Sequence, residues 1–157
     1  MPRERLVRSW FGNAEAWTRA VRDGLIESRR LATDQAVVEA LLETAPARVL
    51  DVGCGEGWLC RTLSARGIEA VGIDVSRPLV DAARAAGGGR FEAMAYEDLA
   101  EAAPALGHFD AVACNFALLD EDLAPLLQAV HGLLAPGGRL VVQTVHPWGA
   151  CGDEPYR

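Results

Sequence analysis

The spacing of apolar positions divides this chain in two. From about Ala14 to Leu42 the period is helical: Trp17, Ala20, Val21 and Leu25 recur on one face, as do Ala36, Val37, Ala40 and Leu41. Two helices are predicted there, the second starting at the capping residues Thr33 or Asp34, and Ala45-Pro46 ends the helical region. Beyond Arg48, short apolar runs alternate with helical segments. ARVLDVG reads as a strand, GWLCRTLSARG as a helix closed by Gly67, IEAVGID as a second strand and RPLVDAARAAGGG as a helix stopped by glycines. RFEAMA and FDAVACNF follow as the third and fourth strands, with no helix assigned between them. LAPLLQAVHGLLAPGG reads as a helix ending in a Pro-Gly-Gly turn, and RLVVQTV as the fifth strand.

Near-continuous apolar strands alternating with helices predict an α/β fold, a doubly wound parallel sheet with crossover helices on both faces. Such sheets bind ligands beyond the carboxyl ends of their strands. That rule directs attention to the tips Asp51–Gly57, Asp74–Val75, Ala95–Tyr96, Asn115–Phe116 and His146–Pro147.

The first tip reads Asp51-Val52-Gly53-Cys54-Gly55-Glu56-Gly57-Trp58. Alternate glycines let the backbone approach a ligand closely, and the following helix presents free N–H groups. A dinucleotide turn reads G-x-G-x-x-G, whereas here the third glycine comes one residue early. Asp51 and Glu56 flank the turn; two carboxylates oppose a pyrophosphate and suit a ligand that carries a cation. At the end of strand two, Asp74 is placed to accept hydrogen bonds from ribose hydroxyls, a feature that fits NAD and adenosine equally. A tight turn with no cofactor is the plain alternative.

Composition narrows the classes. Half of the 157 residues are apolar, enough for a core of one domain. The net charge of −7 opposes nucleic acid, and neither part of the chain on the two sides of Arg48 is a basic footprint. All 15 basic residues are arginines, which removes Schiff-base and pyridoxal-phosphate lysines and Walker-type phosphate loops. The longest uncharged stretch, Leu123 to Gly138, is too short and too interrupted to span a bilayer, and MPRERLVRSW lacks an apolar signal core. A cytoplasmic protein without a membrane partner is expected. Cys54, Cys60, Cys114 and Cys151 show no CxxC spacing, so they are expected as buried hydrophobes, with no metal site.

The residues then resemble the class I S-adenosylmethionine-dependent methyltransferases. VLDVGCGEG is similar to their first motif, GIDVS to the acidic second-strand motif, FDAVACNFALL to the fourth-strand motif and LLAPGGRLVVQT to the helix-to-fifth-strand motif, in family order from about Arg48 to His146. The resemblance implies a Rossmann-like, mostly parallel sheet of strand order 3-2-1-4-5. It implies S-adenosylmethionine as donor and S-adenosylhomocysteine as product. The methionine moiety would lie against Asp51, Gly53, Cys54 and Gly55, the ribose on Asp74, and the adenine between Val75 and the Ala95–Tyr96 tip. Ala95 stands where many members carry an acidic residue, so Tyr96 N–H or Glu97 would replace that contact. Asn115 would sit by the methionine moiety or orient the substrate, unless it serves only to cap the turn.

Methyl transfer from a sulfonium is an in-line displacement that needs no metal, and it needs a base chiefly when an oxygen or nitrogen nucleophile must lose its proton. His146, in QTVHPW, is the candidate base, with Trp148 as an aromatic wall; its alternative is a histidine that holds the strand exit by a hydrogen bond. His131 and His108 are assigned to a helix surface and to the wrong end of the sheet. Asp120, Glu121 and Asp122 are expected at a helix start. The helices before the first motif would cover the site, with Trp17 and one of Arg22, Arg29 and Arg30 in it, an arginine there pairing with a cofactor or substrate carboxylate.

The expected organisation is therefore a helical cap over residues 1–47 and a cofactor-binding core over 48–157. The resembling fold normally carries seven strands and this chain supplies five. The expectation is a chain truncated before strands six and seven, with strand five left as an apolar edge open to pairing. The function expected is methyl transfer to a small-molecule acceptor. An NAD-dependent oxidoreductase and a catalytically silent cofactor-binding module are the alternatives.

Overall fold

A computed structural model describes residues 3–119 and 121–145. Five parallel strands form one sheet in the order β3-β2-β1-β4-β5. They are β1 (Arg48–Val52), β2 (Glu69–Asp74), β3 (Arg90–Ala93), β4 (Phe109–Asn115) and β5 (Leu134–Gln143). The order reverses beside β1, which places the carboxyl ends of β1 and β4 next to each other at the switch point.

The period-2 alternation of strand side chains feeds two apolar layers. On one face Val49, Ala70 and Ala111 pack with Val37 and Leu41 of α2 (Asp34–Leu42), Leu59 and Leu63 of α3 (Trp58–Ser64), and Val80 and Ala83 of α4 (Arg77–Ala86). On the other, Leu50, Val71 and Val112 pack with Leu99 and Leu106 of α5 (Leu99–Leu106) and with Leu126 and Val130 of α6 (Ala124–Leu133). Each fully buried Leu contributes about 1.5–3 kcal/mol of transfer free energy. Asp51 and Asp74 share the face of Val49 and Ala70, so a core position at the strand end becomes a polar one.

Four expectations change. The first helix, α1, runs from Arg3 to Arg22, well before Ala14. Helix α5 joins β3 to β4 where none was assigned; it is eight residues long and contains Pro104, which hides it from a periodicity reading. The helix expected to reach Gly138 ends at Leu133, and β5 begins at Leu134 with a register shift opposite Phe109 and Ala111. The Pro-Gly-Gly segment is an insertion within that strand: a Cβ at Gly138 would meet the carbonyl oxygens of Ala135, Phe109 and Asp110 at 2.9–3.1 Å. Glu121 and Asp122 precede α6 instead of opening it, although the Asp122 carboxylate accepts a hydrogen bond from Ala124 N–H at 3.0 Å. Among the described residues no helix is long and apolar enough to cross a membrane.

Candidate functional site

The glycine turn is built by backbone hydrogen bonds that require left-handed conformations. Gly53 and Cys54 N–H both donate to the Ile73 carbonyl, at 2.8 and 2.9 Å. Gly53, Gly55 and Gly57 have φ of +78°, +55° and +84°. At Gly53 space adds to the constraint, because a Cβ would lie 2.5 Å from Ala117 Cβ. Asp74 ties the turn to β2: its carboxylate accepts from Gly55 N–H at 2.9 Å and from Ser76 N–H at 2.8 Å.

Over this turn lies a cavity of about 370 Å³. Asp51, Gly53, Cys54, Gly55, Asp74, Val75, Tyr96 and Asn115 all line it. Ala95 is not among the lining residues; it precedes the short 3₁₀ turn Tyr96–Asp98 and leaves Tyr96 as the side chain that reaches the cavity. His146, Pro147, Trp148, Cys151 and Asp120 lie outside the described residues. His131 is exposed on α6 and His108 precedes β4, at the opposite end of the sheet.

Asp51 is buried and its Oδ1 has no hydrogen-bond partner. Burial raises its pKa to about 7, Asp74 adds to the rise and Arg29 opposes it. Burial also raises Asp74, against the pull of its two backbone hydrogen bonds. Asn115 Oδ1 is likewise buried and unpartnered, which sets aside a turn cap as its role. Burial raises the thiols of Cys54 and Cys60 and takes Cys114 to about 12, so all three are inert free cysteines.

Glu56 departs from the expected role of a negative charge facing the ligand. Its side chain is fully buried and neutralised by two arginines: Arg22 Nε donates at 2.8 Å, and Arg61 Nη2 donates to both carboxylate oxygens at 2.6–2.7 Å. The second Arg22 arm donates to the Ala82 carbonyl of α4 at 3.0 Å. Arg30 is exposed, so Arg29 is the cavity arginine of the three considered. It begins a π-helical turn, Arg29–Thr33, stacks 4.6 Å over the Trp58 ring and gives its Nε to Asp34 at 2.8 Å. Its Nη2 is buried with no partner.

Helix α1 roofs the cavity with Val7, Trp10 and Trp17, whose indoles meet edge to face at 5.5 Å. Trp10, Val7, Ile26 and Leu119 were not foreseen as lining residues, whereas Phe116 stands at one of the strand tips that the sequence marked out. The spacing of Trp10 and Trp17, two turns apart on one helix face, is the signal in the sequence that points to the first. Among the described residues no cluster of His, Cys, Asp and Glu is arranged to hold a metal ion.

Known proteins resemble this chain in sequence and architecture. Residues 26–151 match a family model described as "Methyltransferase domain". A ubiquinone biosynthesis O-methyltransferase of Xanthomonas oryzae pv. oryzae is 38% identical over 116 residues, covering 69% of this chain and 47% of the relative. The chain thus spans about half the length of the curated relatives it matches. An S-adenosylmethionine-dependent methyltransferase from Mesorhizobium loti superposes with a TM-score of 0.61 at 34% identity, over 72% of this chain and 52% of that one. A SAM-bound amino pentose methyltransferase from Micromonospora echinaspora gives 0.62 at 26%, over 80% and 56%. On its sheet order, its glycine turn and the family match over most of its length, the chain belongs to the class I S-adenosylmethionine-dependent methyltransferase family.

Proposed function

We propose that this chain binds S-adenosylmethionine across the Gly53–Gly55 turn and promotes methyl transfer to a small-molecule acceptor. One observation carries the reading. Two buried acceptors without partners, Asp51 Oδ1 and Asn115 Oδ1, and one buried donor without a partner, Arg29 Nη2, belong to residues lining a single cavity. A zwitterionic amino-acid group meets both needs, its ammonium on Asp51 and Asn115 and its carboxylate on Arg29. Asp74 retains acceptor capacity for the ribose hydroxyls, and Val75 and Tyr96 bound the adenine end, with Gly53, Cys54 and Gly55 beneath the chain between.

The donor, when bound, supplies an electrophilic methyl group on a sulfonium. The residues of this chain orient and enclose. Arg29, Asp51 and Asn115 fix the amino-acid end, while Trp10 and Trp17 of α1 exclude water above the turn. Displacement then requires the acceptor atom about 3–3.5 Å from the methyl carbon and in line with it. His146, three residues beyond β5 in sequence, is the proposed base for an acceptor hydroxyl or amine; Asn115 is the residue at the β4 tip that orients it. Free buried cysteines fit a cytoplasmic setting, and the acidic charge balance fits a small acceptor better than nucleic acid.

Calorimetric titration with S-adenosylmethionine, S-adenosylhomocysteine and NAD tests the reading. The two sulfur nucleosides are expected to bind, and Asp74→Ala and Arg29→Leu each to weaken them by about tenfold or more. Tighter binding of NAD overturns the proposal. Binding without turnover of any acceptor identifies a silent cofactor-binding module instead, and His146→Asn separates a base from a structural histidine through the pH profile of turnover.

A further inference from the structure

The segment Asn115-Phe116-Ala117 holds a bulky residue in a conformation that L side chains avoid: φ of Phe116 is +54°. Three contacts impose it. Phe116 N–H donates to the Gln143 carbonyl of β5 at 2.7 Å. Tyr96 Oη donates to the Ala117 carbonyl at 2.6 Å. Ala117 also lies directly on Gly53, where any Cβ would collide with it. The strain is thus over-determined from β5, from the 3₁₀ turn and from the glycine turn at once, and its product is a phenyl ring on the cavity wall.

The cavity lining separates into two chemistries. Its polar residues include Asp51, Asp74, Asn115 and Arg29, assigned above to the donor. Phe116 belongs with Val7, Trp10, Ile26 and Leu119, all of them apolar.

We propose that Phe116 determines acceptor specificity: its constrained backbone holds the ring as one wall of a slot, with Trp10 and Leu119, that takes a flat, apolar acceptor such as a hydroxylated aromatic ring. This inference rests on the donor assignment, which gives Phe116 and Leu119 no part. A sugar-like acceptor would bury hydroxyls against these side chains without partners, whereas an aromatic face stacks on them. Relaxing φ at Phe116 would swing the ring off the wall.

The test uses naphthol as the aromatic probe and glucose as the polar one, titrated into protein saturated with S-adenosylhomocysteine and followed by naphthol fluorescence and calorimetry. Phe116→Asn retains the turn, since Asn tolerates the left-handed region, and removes the ring. Naphthol is expected to bind the parent protein and glucose not to. Phe116→Asn is expected to lose about tenfold or more in naphthol affinity while S-adenosylhomocysteine affinity changes by less than about twofold. Equal naphthol affinity in parent and variant overturns the proposal, as does glucose binding as tight as naphthol. If Phe116→Asn does not fold, Phe116→Leu, which keeps apolar bulk but not the plane, decides by the same comparison. If S-adenosylhomocysteine itself does not bind, the donor reading fails; naphthol titration of the free protein then decides separately whether Phe116 walls an aromatic site.

Discussion

Arg22 Nε donates a 2.8 Å hydrogen bond to the carboxylate of Glu56, joining the last turn of α1 to the glycine turn across thirty-four residues of sequence. The acid is wholly buried, and Arg61 of α3 completes its neutralisation. The roof over the cavity is therefore fastened to the same turn that the donor is proposed to cross.

The two ends of this pair should respond unequally to mutation. Glu56→Ala removes the buried acceptor shared by two partly exposed arginines, and a loss of about 1–3 kcal/mol is expected. Arg22→Met leaves Glu56 paired with Arg61 and removes a group that is 41% exposed, so its cost should stay at or below about 1 kcal/mol. Urea denaturation of both variants checks the order. Hydrogen exchange in α1 should nevertheless rise in Arg22→Met, because the helix loses its tie to the turn and to Ala82.

Asp51 makes the stability of the unliganded protein depend on pH. Its pKa is about 7 in the folded chain and in the ordinary carboxylate range when unfolded, so between those values the folded state binds more protons. Stability from this group is then greatest at low pH and declines as pH rises towards 7, by on the order of a few kcal/mol, and Asp74 adds in the same direction. Asp51→Asn should flatten that slope and raise the melting temperature at pH 8. Affinity for S-adenosylhomocysteine should move oppositely, strengthening through pH 7 as the ionised carboxylate meets the ligand ammonium, and Asp51→Asn should abolish that rise. A melting series and a titration series from pH 5 to 8 read both slopes.

Two glycines of one turn should differ sharply. Gly53→Ala combines φ of +78° with a Cβ 2.5 Å from Ala117 and 3.2 Å from Tyr96 Oη. Gly55→Ala carries only the backbone strain, since its nearest neighbour is Trp17 Nε1 at 3.6 Å. Expected losses are about 1 kcal/mol for Gly55→Ala and roughly 2–4 kcal/mol for Gly53→Ala, measured by denaturation. The Gly53 variant should also displace Ala117 and with it the Phe116 ring.

Cys54, Cys60 and Cys114 should resist iodoacetamide at pH 8 in the folded protein and react fully in urea, as read by peptide mass spectrometry. Each is buried, and burial holds each thiol protonated. Rapid native alkylation of Cys54 would show that the glycine turn opens.

Much of the cavity's polar lining was legible in the sequence. Asp51, Gly53, Gly55, Asp74 and Asn115 stand at strand termini, and strand termini follow from apolar periodicity. Of the Ala95–Tyr96 tip only Tyr96 lines the cavity, because alternation at a short strand end does not say which side chain turns inward. Helix α5 was invisible for a local reason, Pro104 in an eight-residue segment. The start of β5 was misplaced because Pro-Gly-Gly signals a turn whether it closes a helix or interrupts a strand.

By itself, the sequence determined the alternation of strand and helix, the two-faced burial of the sheet and the polar residues at its carboxyl edge. These depend on local period and on residue type, which neighbours in the chain specify. Only the tertiary structure decided that Glu56 is paired with two arginines, that Arg29 and not Arg22 or Arg30 enters the cavity, and that Phe116 is held left-handed on its wall. Those outcomes depend on contacts among α1, the glycine turn, the Tyr96 turn and β5. Segments so distant in the chain meet only when the sheet closes in its order, and a pairwise distance of that kind leaves no periodic trace in the sequence.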